Sequence, residues 1–160
     1  MNNVISVGIS DMKIVKAPDV LVTYALGSCV GICLYDPVMR VAGLAHILLP
    51  NNKNDIHENK LKYADSSIPL MIEEMIACGC NKHRLVAKIM GGANMFKISG
   101  DSNIGSIGSR NVVSTKNVLK ELCIPITAED TGADYGRTVW FYSESGSVEV
   151  KSYNNKTKNL

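Results

Sequence analysis

The stretch from Leu26-Gly27-Ser28-Cys29-Val30 to Ala45-His46-Ile47-Leu48-Leu49-Pro50 constrains the fold more than any other part of the chain. Two apolar runs, residues 30–35 and 41–49, flank Asp36-Pro37-Val38-Met39. Aspartate first and proline second is the pattern of a type I turn, so the stretch reads as a β-hairpin. If Asp36 and Met39 close the turn, antiparallel pairing sets Tyr35 opposite Arg40. Counting outward in steps of two sets Cys29 opposite His46. Directly opposed residues share a face, with Cβ atoms about 4.5–5.5 Å apart. A cysteine and a histidine then meet at the open end of the hairpin. A slip of one residue would send them to opposite faces. A bulge at the turn is the competing arrangement, because type I turns fit two-residue hairpins less well than the primed types.

The 160 residues are most simply one domain, residues 1–153, followed by a polar tail, residues 154–160, expected to be disordered. A net charge of +2 and 6% aromatic residues, with no basic cluster interleaved with aromatics, give no basis for binding nucleic acid. No apolar run approaches the roughly 20 residues that span a bilayer. Met1-Asn2-Asn3 also lacks the basic region of a signal peptide. The expectation is a cytoplasmic protein that is not inserted in a membrane. In that reducing compartment the five cysteines, at 29, 33, 78, 80 and 123, read as free thiols.

In chain order, residues 4–8, 12–16 and 20–24 read as strands leading into the hairpin, and Gly27 permits a sharp backbone change before Cys29. The polar segment 51–61 reads as a surface loop. Leu70, Ile72, Met75 and Ile76 follow helical spacing, with Ser66 or Ser67 as N-cap, Pro69 in the first turn and Gly79 as C-cap. Residues 85–90 read as a strand, 94–110 as a loop and 112–122 as a second helix with Val112, Val113, Val118, Leu119 and Leu122 inward. A strand at 124–128, a loop at 129–137 and a hairpin from 138–142 to 148–153 complete the chain. Strands and helices do not alternate, which argues for an α/β layered domain with a mixed, largely antiparallel sheet.

Cys29 with His46 carries the sharpest chemistry. A free thiol is only slightly ionised at neutral pH, and an adjacent imidazole can take its proton. The thiolate attacks a carbonyl carbon, backbone N–H groups near Gly27, Ser28 and Cys29 hold the oxyanion, and the imidazolium protonates the leaving group. Thr23 is the candidate partner for the far side of the imidazole. The residues alone leave open the plainer alternative, a buried thiol beside a satisfied core histidine. Cys78-Gly79-Cys80-Asn81-Lys82-His83 has one residue between its cysteines, where zinc sites use two to four, and reads as a helix end with a buried Cys78. Glu73-Glu74 reads as a solvated helix face. Arg110 and Arg137, in glycine-containing loops, are candidates to bind a carboxylate or amide oxygen, or to form surface ion pairs. Met95, Phe96 and Ile98 are candidates for an exposed apolar contact.

Several blocks in order resemble the CheD family of chemoreceptor glutamine deamidases. They are Leu26-Gly27-Ser28-Cys29, Asp36-Pro37, Ala45-His46-Ile47-Leu48-Leu49-Pro50, Lys62-Tyr63-Ala64-Asp65, Ala87-Lys88-Ile89-Met90-Gly91-Gly92-Ala93, Ile107-Gly108-Ser109-Arg110-Asn111 and Ala128-Glu129-Asp130-Thr131-Gly132. The resemblance implies a three-layer α/β sandwich similar to the catalytic domain of cytotoxic necrotizing factor. It implies Cys29 as nucleophile, His46 as base and Thr23 as the third member, with no metal or organic cofactor. The substrates it implies are glutamine side chains of methyl-accepting chemotaxis proteins, converted to glutamate with release of ammonia through a thioester on Cys29. A CheC-type phosphatase is the implied partner. A non-catalytic adaptor for chemoreceptor or phosphatase is the alternative from another class, and a transglutaminase- or amidase-like thiol enzyme a third. The chain departs from the family pattern at an insertion, Ile104-Gly105-Ser106, at Pro69, and at Ala133, where a second glycine often stands.

Overall fold

A computed structural model describes residues 2–52, 59–95 and 106–160. Its strands are numbered in chain order. The hairpin, β4 (Val30–Asp36) and β5 (Val41–Ile47), is buried along its whole length. Near-continuous apolar character is what strands covered on both faces require. Val30, Ile32 and Leu34 of β4, with Val41, Ala45 and Ile47 of β5, face one core. Cys33, Tyr35, Ala42 and Leu44, on the alternate positions, face another.

Around the hairpin lie β2 (Asp11–Lys16), β6 (Val86–Gly91) and β7 (Ile126–Thr131), in the order β2-β5-β4-β6-β7. A second sheet holds β1 (Val4–Ser6), β3 (Val20–Leu26), β8 (Arg137–Tyr142), β9 (Val148–Ser152) and β10 (Thr157–Asn159), in the order β1-β3-β8-β9-β10. β6–β7 and β1–β3 are parallel pairs, and the other pairings are antiparallel. Helices α1 (Ala64–Ala77) and α2 (Ile107–Glu121) cover the far side of the first sheet, through Ile68, Met71, Met75 and Leu119. The layers run sheet, sheet, helices. This is the expected three-layer α/β sandwich with largely antiparallel pairing, its strands divided between two mixed sheets. Among the described residues, no helix is long and apolar enough to cross a membrane.

The hairpin register differs from the expectation by two residues. Asp36 pairs with Val41 and Gly31 with His46, so the loop is four residues and not two. Arg40 closes it in the left-handed region, φ 53°, donating its N–H to Asp36 O at 2.8 Å. Because the shift is even, Cys29 and His46 keep a common face, now diagonal and not directly opposed. The sharp backbone change expected at Gly27 falls instead at Ala25, φ 57°, in a bulge between Thr23 and Leu26.

Both helices begin earlier than their sequences suggest. α1 starts at Ala64 and carries Pro69 inside, and neither Ser66 nor Ser67 is its cap. Its first N–H groups donate to the end of the hairpin: Ala64 N–H to Leu49 O at 3.0 Å and Asp65 N–H to Pro50 O at 3.4 Å. Backbone carbonyls thus satisfy the groups a capping side chain usually serves. α2 starts at Ile107, capped by Ser106 Oγ accepting from Ser109 N–H at 3.2 Å, which brings Arg110 and Asn111 into the helix. Its buried face is small and polar (Gly108, Asn111, Ser114, Thr115) with Leu119, and Val113 is exposed. The last residues, expected as a loose polar tail, extend the second sheet as β10, and Leu160 exchanges two backbone bonds with Val148. Residues 53–58 of the expected surface loop, together with Phe96, Ile98, Ile104 and Gly105, lie outside the described residues.

Candidate active site

The site is built where β5 leaves the sheet. His46 is the penultimate residue of that strand, between β2 and β4, and its side chain turns toward the second sheet. There β3 presents Thr23, and Thr23 Oγ1 lies 2.7 Å from His46 Nδ1. Both side chains are fully buried. The same hydroxyl donates to Val7 O at 2.7 Å. A hydroxyl has one proton to give, and a carbonyl can only accept it. Thr23 therefore accepts the proton of His46 Nδ1–H, which fixes the imidazole as the Nδ1–H tautomer with a bare lone pair on Nε2. Nε2 is buried and has no hydrogen-bond partner among the described residues. Burial pushes the His46 imidazole down to about 4, so it is a neutral base throughout the physiological range.

Cys29 precedes β4 on the same face and is 6% exposed. Burial raises its thiol, and its own backbone N–H, turned to favour the thiolate, offsets part of that rise. At neutral pH the pair is thiol and neutral imidazole, not a resting ion pair. The loop 27–29 is fixed by its carbonyls. Ala93 N–H donates to Gly27 O at 2.8 Å and Gly92 N–H donates to Cys29 O at 2.8 Å. Asn111 Nδ2 donates to Ser28 O at 2.9 Å. Gripping three successive carbonyls leaves the Ser28 N–H without a backbone acceptor among the described residues, and the Cys29 N–H with its own sulfur. Two such donors beside a thiol are the elements from which an oxyanion site can be built.

Sequence reasoning missed this clamp. Gly91-Gly92-Ala93 has no phosphate-loop spacing, and its role is a close approach. A Cβ on Gly108 would lie 2.3 Å from Ala93 O, so only glycine lets α2 seat against the turn after β6. Asn111 follows one turn later, between the expected loop at 94–110 and the expected helix at 112–122.

The other sequence candidates lie apart. Arg137 is buried and donates from Nε to Asp130 Oδ2 at 3.0 Å, its guanidinium 4.6 Å from the centre of the Tyr135 ring. Arg110 is exposed on α2. Cys80, not Cys78, is the buried thiol at the end of α1, pushed up to about 11 mainly by burial. Among the described residues, no group of three or more His, Cys, Asp or Glu side chains is placed to hold a metal ion. A cleft of about 710 Å³ lined by Tyr24, Ala25, Met95, Tyr135, Trp140 and Tyr153 begins one residue past Thr23, and its lining omits Cys29 and His46.

The family described as CheD chemotactic sensory transduction matches residues 48–152, a span that leaves out Thr23, Cys29 and His46. The matches to whole-length relatives span those positions. The chain is 52% identical over 158 residues to a probable chemoreceptor glutamine deamidase CheD of Caldanaerobacter subterraneus subsp. tengcongensis, covering 98% of each chain. It is 47% identical over 162 residues to a probable chemoreceptor glutamine deamidase CheD 2 of Geobacter metallireducens, covering 100% of each. Among solved structures it is similar to the Bacillus licheniformis hypothetical protein YfiH, with a TM-score of 0.51 and 15% identity. That match spans 78% of this chain and 51% of the other, and is a likeness of fold alone.

Proposed function

The chain belongs to the CheD family, and from that premise we propose that it deamidates glutamine side chains of chemoreceptors, with Cys29 as nucleophile, His46 as base and Thr23 as its orienting partner. The observation that carries this reading is the 2.7 Å Thr23–His46 contact, which leaves a buried, unpartnered Nε2 on the face that Cys29 shares. A structural histidine in a core uses both ring nitrogens, since an unmade buried hydrogen bond costs about 1–3 kcal/mol.

The reaction runs in two halves. His46 Nε2 takes the Cys29 thiol proton as sulfur bonds to the glutamine Cδ, and the oxygen becomes an oxyanion held by the Ser28 and Cys29 N–H groups beyond Gly27. The C–N bond breaks as His46 returns the proton to nitrogen, releasing ammonia and leaving a γ-glutamyl thioester on Cys29. Water then gives a proton to Nε2 and its oxygen to the carbonyl. The C–S bond breaks, His46 reprotonates the sulfur, and glutamate leaves. A neutral imidazole suits both halves, because each opens with Nε2 accepting a proton. The aromatic faces of Tyr24, Trp140 and Tyr153 offer a surface for residues flanking the glutamine. Peptide mass spectrometry of a chemoreceptor cytoplasmic domain incubated with the protein tests the proposal. Glutamine-to-glutamate conversion by wild type and not by Cys29→Ala is the expected result, and equal conversion by both would remove Cys29 from the reaction.

A further inference from the structure

We propose that Asn111 is a positioning residue for the reaction, holding the fork of the β4–β5 hairpin so that the Cys29 N–H is aimed at the reacting centre. Its amide donates twice, to Ser28 O at 2.9 Å and to Leu48 O at 3.0 Å. Two carbonyl acceptors settle the orientation of the amide, since only the nitrogen can donate to both. The two carbonyls belong to different strands. Val30 and Ile47 are the last paired residues of the hairpin, so Ser28 and Leu48 lie just past the fork. Ser28 directly precedes Cys29, and Leu48 follows His46 by two residues. One buried side chain thus ties the segment carrying the thiol to the segment carrying the imidazole.

The first bond also sets a direction. The Ser28–Cys29 peptide is trans, and in a trans peptide the C=O and the following N–H point to opposite sides of the chain. Drawing Ser28 O toward α2 turns the Cys29 N–H away from α2, toward its own sulfur. The same N–H is the group that favours the Cys29 thiolate. Asn111 is fully buried, and its Oδ1 has no partner among the described residues. An amide that makes two bonds with one end and none with the other serves what its donors hold. Ser114, one turn on, is the comparison: its hydroxyl lies 2.8 Å from Pro50 O and 2.9 Å from Asn51 Oδ1, two acceptors that share its one proton, and reaches neither Ser28 nor Cys29.

This role rests on Cys29 being the nucleophile, and its test is separable from the proposed activity. Iodoacetamide alkylation of Cys29, followed against pH by mass spectrometry, needs no substrate. Asn111→Ala and Asn111→Ser, which keeps one donor, are compared with wild type and Ser114→Ala after thermal melts have fixed the folded fraction. The expected result is an alkylation profile displaced to higher pH in Asn111→Ala, less so in Asn111→Ser, and unmoved in Ser114→Ala. Where wild type deamidates a receptor, kcat of Asn111→Ala falls by about a hundredfold, the usual cost of one oxyanion donor, with KM little changed. Absence of wild-type deamidation would remove the proposed activity while the alkylation profiles still decide the role of Asn111. Profiles unmoved in folded Asn111 variants, or loss of the fold in both variants, would assign Asn111 to stability and overturn the proposal.

Discussion

The two ends of the β4–β5 hairpin each bury one ionisable side chain completely, and they treat it in opposite ways. At the closed end Asp36 is satisfied on every side. Val38 and Met39 N–H donate to Oδ1, Asn81 N–H to Oδ2, and Arg84 grips both oxygens through Nε and Nη2. Burial by itself would raise this carboxyl, but Arg84 and the three amides outweigh it and hold the group at about 2. At the open end His46 makes one bond and keeps a bare Nε2. A saturated buried charge locks a turn in place. A half-used buried base is what the proposed reaction needs, a lone pair free to take a proton.

Substitutions separate the two ends. The largest effect expected is loss of deamidation in Cys29→Ala with the fold kept, read by receptor mass spectrometry beside a thermal melt. His46→Gln lowers kcat by about 10²–10⁴, the usual worth of a positioned acid–base group, and leaves the protein folded. Asp36→Ala does the reverse: it destabilises by about 1–3 kcal/mol, because three N–H groups lose their acceptor. Activity per folded molecule is retained, which denaturant titration and kinetics together would show.

Acid resolves the ends in one titration. The His46 imidazole, about 4 when folded against roughly 6.5 unfolded, binds its proton more readily in the unfolded chain. Its stabilising contribution is complete above the unfolded value and is lost as pH falls toward the folded one, about 3 kcal/mol in all. Asp36, about 2 when folded against roughly 3.9 unfolded, also contributes stability that acid removes, about 2 kcal/mol between those two values. Stability measured against pH therefore falls in two windows. His46→Gln erases the upper one and Asp36→Asn the lower. The smallest effect is a control away from both ends. Ala133 is in the left-handed region, φ 59°, so Ala133→Gly stabilises by about 1 kcal/mol and moves neither window.

Much of this was legible from the residues because strand alternation is robust. The turn pattern misplaces the register by two residues, yet Cys29 and His46 stay on one face, since an even shift preserves the side of every residue. What lengthened the loop is tertiary: Asp36 spends its carboxylate on Val38, Met39, Asn81 and Arg84, and a turn pattern carries no trace of the last two. Thr23 was legible as the partner of His46 because it follows the strand period. Asn111 was not. Its helix opens with Gly108 and Ser109, which local propensity disfavours, and Gly108 is there for contact with Ala93 O. The C-terminal strand was hidden for the same reason, because Thr157–Asn159 is polar and gains its order by pairing with β9.

The central claim is that the fold holds the His46 imidazole neutral, protonated on Nδ1 and bare on Nε2. Nitrogen-15 NMR of the histidine rings at pH 7 reads this directly, with His46 assigned by comparison with His46→Gln. The account predicts a protonated Nδ1 and an unprotonated Nε2 that persist as the pH is lowered through 6. A His46 ring protonated on Nε2, or carrying both protons at pH 6, would contradict it.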